Sequence, residues 1–192
     1  ADLRGFSERD VVQLPSRELV MADVAGVSRG YEQRRLAALD ELTEAHFAVA
    51  SVQAAAQRTM PPEALKSAIV SLATGETAPL DELAQSLTRA GYERCVQVEG
   101  TGQFSIRGGI LDVFSPGMEK PVRCEFFDDE IDSLGEFELD TQRRSRNLEQ
   151  ALLLPAAEVL PALGDAGAAE KLERIAAKLE KMGGADALVK TL

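Results

Sequence analysis

Paired turn residues divide the middle of the chain into short strand-like runs, and this spacing constrains the fold more than any other feature. Residues 91–127 read GYERCVQVEGTGQFSIRGGILDVFSPGMEKPVRCEFF. The Gly100-Thr101 pair suits a two-residue type II′ hairpin turn, because glycine accepts a positive φ. Residues 93–99 are therefore predicted to pair antiparallel with residues 102–113, and the stretch as a whole is predicted to be a β-meander.

Two further turn signals complete this meander. Pro116 and Gly117, followed by Pro121, predict a second turn that leads into a strand over residues 122–127. The Gly108-Gly109 pair lies inside the long predicted strand, and we interpret it as a β-bulge that lets the strand bend.

The side chains of the predicted strands fall into an apolar set and a polar set, because successive residues of a strand point to opposite faces. The inward set is Cys95, Phe104, Ile106, Val122, Cys124 and Phe126. The outward set is Arg94, Ser105, Arg107, Arg123 and Glu125. With the turn at Gly100, Arg94 is expected opposite Arg107, an arrangement that destabilises a pair of strands by up to about 1 kcal/mol. Two interpretations of the outer face stay open: a solvated surface, or an arginine-bearing docking surface for an acidic partner.

The same stretch carries a resemblance to a known family. GYER, QVEGTGQFSIRGGILDVFSPG and PVRCEFFDDEIDSLGEFELDTQR resemble the UvrB-homologous region of bacterial transcription-repair coupling factors, and the match covers about residues 60–158. In that family this module docks on UvrA through arginines of its outer sheet face. The resemblance places the partner-binding residues at Arg94, Arg107, Arg123 and Glu125. UvrB has a further arginine at the position of Ser105, so one contact available to UvrB is expected to be absent here.

The resemblance also implies partners beyond UvrA. The full-length family protein has an RNA polymerase binding domain and an ATP-driven motor that translocates on DNA, and the motifs of those parts do not occur in this chain. The residues upstream resemble the degenerate first domain of the same proteins.

Charge and motif content argue against a catalytic chain and against a broad surface for duplex DNA, although a local basic patch is still allowed. Acidic residues outnumber basic ones by 32 to 21, for a net charge of -11, whereas binding to duplex DNA depends on clustered Lys and Arg. The phosphate loop GxxxxGK[ST] does not occur, and neither does a zinc-ligand spacing around the single His46. We therefore expect no catalytic residues, no cofactor or metal site, no small-molecule substrate and no enzyme activity. The alternative is a nucleotide- or DNA-handling fragment of a UvrB-like excision-repair enzyme.

Hydropathy and cysteine content bear on the compartment. The sequence contains no apolar run that could cross a membrane and no signal sequence, so we expect no membrane partner and a cytoplasmic location. Cys95 and Cys124 are then expected to be reduced, buried and close to each other on the inner face.

The remaining segments predict the fold class. Strands are expected over residues 10–14, 46–52, 65–74, 131–140 and 148–154, and helices between the first two, from Pro79 to Gly91, and over 168–182. Residues 128–132 read as a solvated acidic turn. Residues 143–146 read as a solvated basic loop, with a contact to nucleic acid as the alternative. The predicted fold is α/β plus α+β: an incomplete βαβ unit, corresponding to a degenerate helicase-like domain, with an inserted antiparallel β-sheet domain carrying a covering helix. The predicted domains are residues 1–60, the partial UvrB-like domain; 61–155, the UvrA-interaction sheet domain; and 156–192, a helical return segment.

Overall fold

A computed structural model describes residues 11–16, 27–44 and 47–158. These residues belong to one compact unit that extends to Glu158. Its helices are α1 (Val27–Glu41), α2 (Val52–Ala56), α3 (Pro62–Ala68) and α4 (Leu80–Arg89). Its strands are β1 (Val11–Leu14), β2 (Phe47–Ala50), β3 (Val70–Ala73), β4 (Glu93–Arg94), β5 (Gln103–Arg107), β6 (Ile110–Phe114), β7 (Val122–Phe127), β8 (Glu130–Phe137), β9 (Arg144–Leu148) and β10 (Gln150–Leu153). The mixed α/β class with antiparallel sheets is confirmed. The helix predicted over 168–182 lies outside the described residues.

The first described elements form a parallel strand-helix-strand unit. β1 and β2 pair in parallel, with Val11 opposite Phe47, and α1 connects them and lies against β1. The predicted βαβ-like fragment is confirmed. The apolar run HFAVASV predicts a buried strand here, and this is wrong: β2 is exposed along its length, and among the described residues it pairs with β1 alone. His46 lies outside the described residues.

A six-stranded sheet in the order β4-β5-β6-β7-β8-β9 dominates the rest of the unit. Its strands are antiparallel from β5 to β9, as the meander predicts. The bulge predicted at Gly108-Gly109 is wrong: these two residues are the turn between β5 and β6, and Gly108 has a φ of +60°. A tight two-residue turn needs positive φ, and the glycine pair supplies it in the middle of the run assigned to one strand.

The pairing predicted across Gly100-Thr101 is also wrong. β4 runs parallel to β5, with Arg94 opposite Phe104, so Arg94 does not face Arg107. The chain between β4 and β5 is a loop instead of a hairpin turn, because parallel strands cannot be joined by a two-residue turn. In this loop the Gln103 side chain accepts hydrogen bonds from the backbone N–H groups of Glu99 (2.9 Å) and Gly100 (3.0 Å). These bonds satisfy two donors that a β-ladder would otherwise have to pair.

The turns before and after β7 agree in part with the prediction. The turn at Pro116-Gly117 is confirmed, and it separates β6 from β7. The turn in the acidic run is shorter than the predicted residues 128–132. Only Asp128-Asp129 connects β7 to β8, and Glu130 already begins β8. The basic loop over 143–146 is wrong from Arg144 onward, because β9 begins there and pairs with β8.

The inner face of the sheet carries the core. α4 covers it with Leu83 and Leu87, which belong to one buried cluster with Phe104 and Cys124. The predicted covering helix is therefore confirmed, and it is followed by Gly91 with a φ of +88°. Burying apolar surface in this way is the main favourable term in folding.

Two further strands extend the core beneath α4. The strand predicted over 65–74 is wrong in its first half, since the Pro61-Pro62 pair begins α3 and only β3 is a strand. A proline in the first turn of a helix loses no hydrogen bond, and this favours α3. β3 pairs antiparallel with β10, and the buried Tyr92 hydroxyl donates a hydrogen bond to the carbonyl oxygen of Leu154 next to β10.

Polar contacts join α1 to the chain around the large sheet. The fully buried Arg35 donates from Nε to Glu158 Oε1 at 3.2 Å and from a terminal nitrogen to the Pro15 carbonyl oxygen at 2.6 Å. Gln33 Nε2 donates to the Thr101 carbonyl oxygen at 2.9 Å. A buried charge is tolerated when it is paired and hydrogen-bonded, so these contacts hold α1 in a defined position. Among the described helices, none is long and apolar enough to cross a membrane.

Candidate functional site

Asp112 is the buried centre of the outer sheet face. It lies on β6 between Ser105 of β5 and Arg123 of β7, and its side chain is 1% exposed. Arg123 donates from Nε to Oδ1 at 2.7 Å and from a terminal nitrogen to Oδ2 at 2.9 Å. Arg107 donates to the same Oδ2 at 2.9 Å. The two arginines compensate the buried carboxylate, and charge-assisted bonds of this kind are stronger than neutral ones.

Arg123 makes several contacts within the sheet. Besides Asp112, it donates to the carbonyl oxygen of Gln142 at 3.0 Å, and its guanidinium lies 4.5 Å from the centre of the Phe137 ring. Its side chain is only 16% exposed. The hydrogen bond to Asp112 raises the pKa of Arg123 above its ordinary value, so the charge is fixed. Arg123 therefore stabilises the outer face through contacts inside the sheet.

Arg107 presents its charge to solvent. It shares Asp112 with Arg123, yet its side chain is 49% exposed and it makes one hydrogen bond to the carboxylate. It stands opposite Ile110 at the end of β5. An arginine anchored at one nitrogen keeps its other donors available for a partner.

Glu125 belongs to a second cluster, next to the first. It accepts a hydrogen bond from Ser133 Oγ at 2.9 Å and an ion-pair contact from Arg144 at 3.2 Å. Arg144 also donates to Ser133 Oγ at 2.9 Å. Arg144 passes close to Gly135, where an added Cβ would stand 3.1 Å from Arg144 Cδ. The missing side chain at Gly135 thus leaves room for Arg144 on this face.

Arg94 is the predicted site residue that the structure places elsewhere. Its strand partner is Phe104, a core residue of the inner face, and Arg94 borders a groove with Gln85 and Arg89 of α4. Side chains of residues opposite each other in a sheet lie on the same face. Arg94 is thus on the α4 side and away from Arg107, Arg123 and Glu125, which the structure does bring together.

Sequence reasoning missed Asp112 and Arg144. Asp112 had a readable signal, because a lone carboxylate inside the apolar run ILDVF predicts a buried acid that needs a cationic partner. Arg144 has no such signal, since its role depends on β9, in a segment whose composition predicts a loop. Ser105 is buried beside Asp112, and its Oγ has no hydrogen-bond partner among the described residues.

The cysteines differ in their surroundings. Cys124 is buried in the core, and burial raises the pKa of its thiol to about 12. Cys95 follows β4, is only partly buried, and has a thiol pKa raised chiefly by partial burial. Both thiols are free, as predicted, but the expectation that both are buried is wrong for Cys95, because Cys95 follows β4, which is an edge strand of the sheet. Within the described residues, no group of three or more His, Cys, Asp or Glu side chains could hold a metal ion.

Comparison with known proteins gives a consistent picture. Residues 70–159 match the family described as the UvrB interaction domain. The transcription-repair-coupling factor of Bacillus subtilis is 38% identical over 182 residues, which is 92% of this chain and 15% of the relative. The same factor is 38% identical in Myxococcus xanthus, over 78% of this chain and 13% of the relative, and 33% identical in Escherichia coli, over 82% and 14%.

The match therefore covers most of this chain and a small part of each relative. The chain spans about one seventh of the length of these curated relatives, 13–15% in the three cases. The region of the family match contains the large sheet with both outer-face clusters. Residues 70–159 thus match the UvrB interaction domain family, and most of the chain is homologous to one segment of bacterial transcription-repair coupling factors.

Proposed function

We propose that this chain is a protein-interaction module that recruits UvrA to stalled transcription complexes in nucleotide excision repair. The outer face of the large sheet is the docking surface, and Arg107 and Glu125 are its contact residues. In the full-length protein, RNA polymerase and DNA are engaged by other parts. The β1–α1–β2 unit is the remnant of a degenerate helicase-like domain.

One observation carries the proposal: exposed charged side chains are held in place by hydrogen bonds and ion pairs within the sheet. Arg107 is half exposed while its anchor, Asp112, is buried, and Glu125 is 45% exposed while it is held by Ser133 and Arg144. Side chains that are already ordered lose less conformational entropy on binding, and this favours affinity. A merely solvated face gains nothing from such fixed orientations.

The roles of the four predicted residues follow from their positions. Arg107 and Glu125 contact the partner directly. Arg123 acts through Asp112, as a positioning residue that keeps Arg107 oriented. Arg94, on the α4 side, lies outside the central contact and contributes at most at the rim, where a charge is worth a few tenths of a kcal/mol.

The test is a calorimetric titration of UvrA with the full chain and with Arg107→Gln. Glutamine removes the charge, whereas Arg107→Glu would bring a second carboxylate toward the buried Asp112 and disturb folding. We expect affinity to fall at least about tenfold, equivalent to about 1.4 kcal/mol, because a charged contact near the centre of an interface loses its partner. Lys66→Gln, an exposed basic residue on α3, is the matched control and should change affinity less than about twofold.

Two results would contradict the proposal. One is the absence of UvrA binding by the wild-type chain at tens of micromolar, where even a small interface is detected. The other is an equal loss for Arg107→Gln and Lys66→Gln, since this would indicate non-specific electrostatics. A parallel titration with UvrB determines which excision-repair protein is the partner, and tighter binding to UvrB than to UvrA would also refute the assignment.

A further inference from the structure

A groove lies between α4 and the edge strand β4, on the side of the sheet opposite the charged outer face. Asp81, Gln85 and Thr88 share one face of α4, because they are spaced four and three residues apart, and they form one wall. Arg94 of β4 lines the same groove, which has a volume of about 580 Å³. The groove therefore runs along the helix and beside the last strand of the sheet.

The backbone of β4 is open on the edge that faces away from β5. β4 is the terminal strand of the six-stranded sheet, and no described strand pairs with its other edge. The N–H of Glu93 donates to the carbonyl oxygen of Gly102 at 2.9 Å, and the N–H of Cys95 donates to that of Phe104 at 2.9 Å. Because backbone groups alternate between the two edges of a strand, the N–H and C=O of Arg94 point away from β5. Such groups are a template on which another extended chain can pair.

Two arginines without carboxylate partners line this groove. Arg89, the last residue of α4, and Arg94 are both exposed. Arg89 Nε donates to the carbonyl oxygen of Gln85 at 3.3 Å, and among the described residues neither arginine forms an ion pair. Asp81, the acidic residue of the groove, lies in the first turn of α4, away from Arg89 in its last turn. The end of the groove near Arg89 and Arg94 is therefore positively charged in a chain of net charge -11.

We propose that this groove binds an extended acidic peptide segment of a partner protein, which pairs with β4 as an additional strand. The peptide backbone bonds to the N–H and C=O of Arg94, and its carboxylates contact Arg89 and Arg94. Exposed arginines are ordinary by themselves. Here they flank an open strand edge beside a helix, and addition of a strand to a sheet edge combines main-chain hydrogen bonds with recognition of side chains.

A single nucleic-acid strand is the other polyanion that arginines attract. Such a strand is held chiefly by stacking of its bases on exposed aromatic rings. Phe104, the aromatic residue that lines this groove, is 0% exposed, so it offers no stacking surface. The groove also lies apart from Arg107 and Glu125, and binding here does not depend on the proposed docking of UvrA.

The experiment is an NMR titration of the isotope-labelled full chain with a blocked hexapeptide of alternating glutamate and valine. We expect the backbone amide signals of Arg94 and of α4 to shift, with a Kd below about 1 mM, while those of Arg107 and Glu125 stay unchanged. The same peptide with lysine in place of glutamate should bind at least about tenfold more weakly, because like charges oppose each other in the groove.

Matched variants test the two arginines. Arg89→Gln and Arg94→Gln should each weaken binding of the acidic peptide about threefold to tenfold, and Lys66→Gln should stay within about twofold, since exposed charges act mainly on their near neighbours. Thermal midpoints should be unchanged, and Arg94→Gln should keep its affinity for UvrA within about twofold.

Several results would overturn the peptide site and leave the proposed function standing. One is the absence of shifts in β4 and α4 at about 2 mM peptide, and another is equal binding of the acidic and the lysine peptide. Shifts confined to the outer face would assign the peptide to Arg107 instead. Tighter binding of an oligothymidylate of equal length than of the acidic peptide would identify a nucleic-acid strand as the ligand.

Discussion

Replacing Arg123 by alanine tests whether this residue is a structural part of the outer face. The substitution removes two charge-assisted hydrogen bonds to Asp112, one bond to the Gln142 carbonyl oxygen and the contact with the Phe137 ring. Asp112 remains buried, with a single bond from the half-exposed Arg107. Arg123→Ala is therefore expected to destabilise the fold even if no partner is present.

The magnitude follows from the contacts. Hydrogen bonds to charged groups contribute about 1.5–3 kcal/mol each, and a cation–π contact about 0.5–1 kcal/mol. Breaking a buried ion pair typically costs about 3–5 kcal/mol. Because Arg107 still compensates Asp112 in part, we expect the free energy of unfolding to fall by about 3 kcal/mol, or about 6–12 °C in the thermal midpoint. Arg107→Ala should cost about 0.5–1 kcal/mol, since the side chain is half in water.

Urea unfolding of both variants measures these differences, provided the slope with denaturant stays unchanged. The control is the double variant Asp112→Asn with Arg123→Ala. In the neutral Asp112→Asn background, the loss of Arg123 should cost about 1–3 kcal/mol less, because no buried charge is left unpaired. Equal destabilisation by Arg123→Ala and Arg107→Ala, or an additive double variant, would refute the assignment of Arg123 as an internal organiser.

Further predictions concern the thiols, alkaline pH and one glycine. A maleimide should label Cys95 in the native chain, slowly below pH 9 because the thiol pKa of Cys95 is raised. It should label Cys124 only after unfolding, because Cys124 is buried. Rapid labelling of Cys124 in the native chain would show that the register of β7 is wrong. Burial raises the folded-state pKa of Cys124 to about 12 and also raises that of Tyr92. Their contribution to stability is therefore complete below the unfolded-state pKa values of 9 and 10, and it is lost as pH rises through the folded-state values. In urea titrations at a series of pH values, Cys124→Ala should reduce the loss of stability between pH 9 and 12. Gly135→Ala should destabilise the fold by about 1–3 kcal/mol, since the new Cβ would stand 2.6 Å from a backbone oxygen of β9, while Gly100→Ala, with open space around it, should change the urea midpoint little.

The outer face illustrates how far the sequence leads toward a site. Alternation along β5 and β7 correctly placed Arg107, Arg123 and Glu125 on one face, because the period of two is a property of any strand. The same reasoning failed for Arg94. Its face depends on which strand β4 joins and in which direction, and this is a matter of long-range pairing that local composition does not encode.

The glycine pairs show why one hairpin was placed wrongly. Gly100-Thr101 and Gly108-Gly109 both satisfy the local requirement of a tight turn. Composition alone therefore cannot tell which of the two pairs forms the hairpin turn. The choice is made by tertiary packing. With the turn at Gly108, Phe104 and Leu111 are both buried in the core under α4, and Gln103 is free to hold the loop at Glu99.

The sequence by itself determined the family resemblance, the covering helix α4, the antiparallel strands from β5 to β9 and the sign of the charges on their outer face. These depend on local periodicity, on turn residues and on motifs that are read one segment at a time. The tertiary structure decided which charged side chains are paired inside the sheet and which are exposed to solvent and to a partner. Asp112 is buried between two arginines: it pairs with the largely buried Arg123, whereas Arg107 stays half exposed. The two arginines differ in role because the energy of a charge depends on its burial and its partners.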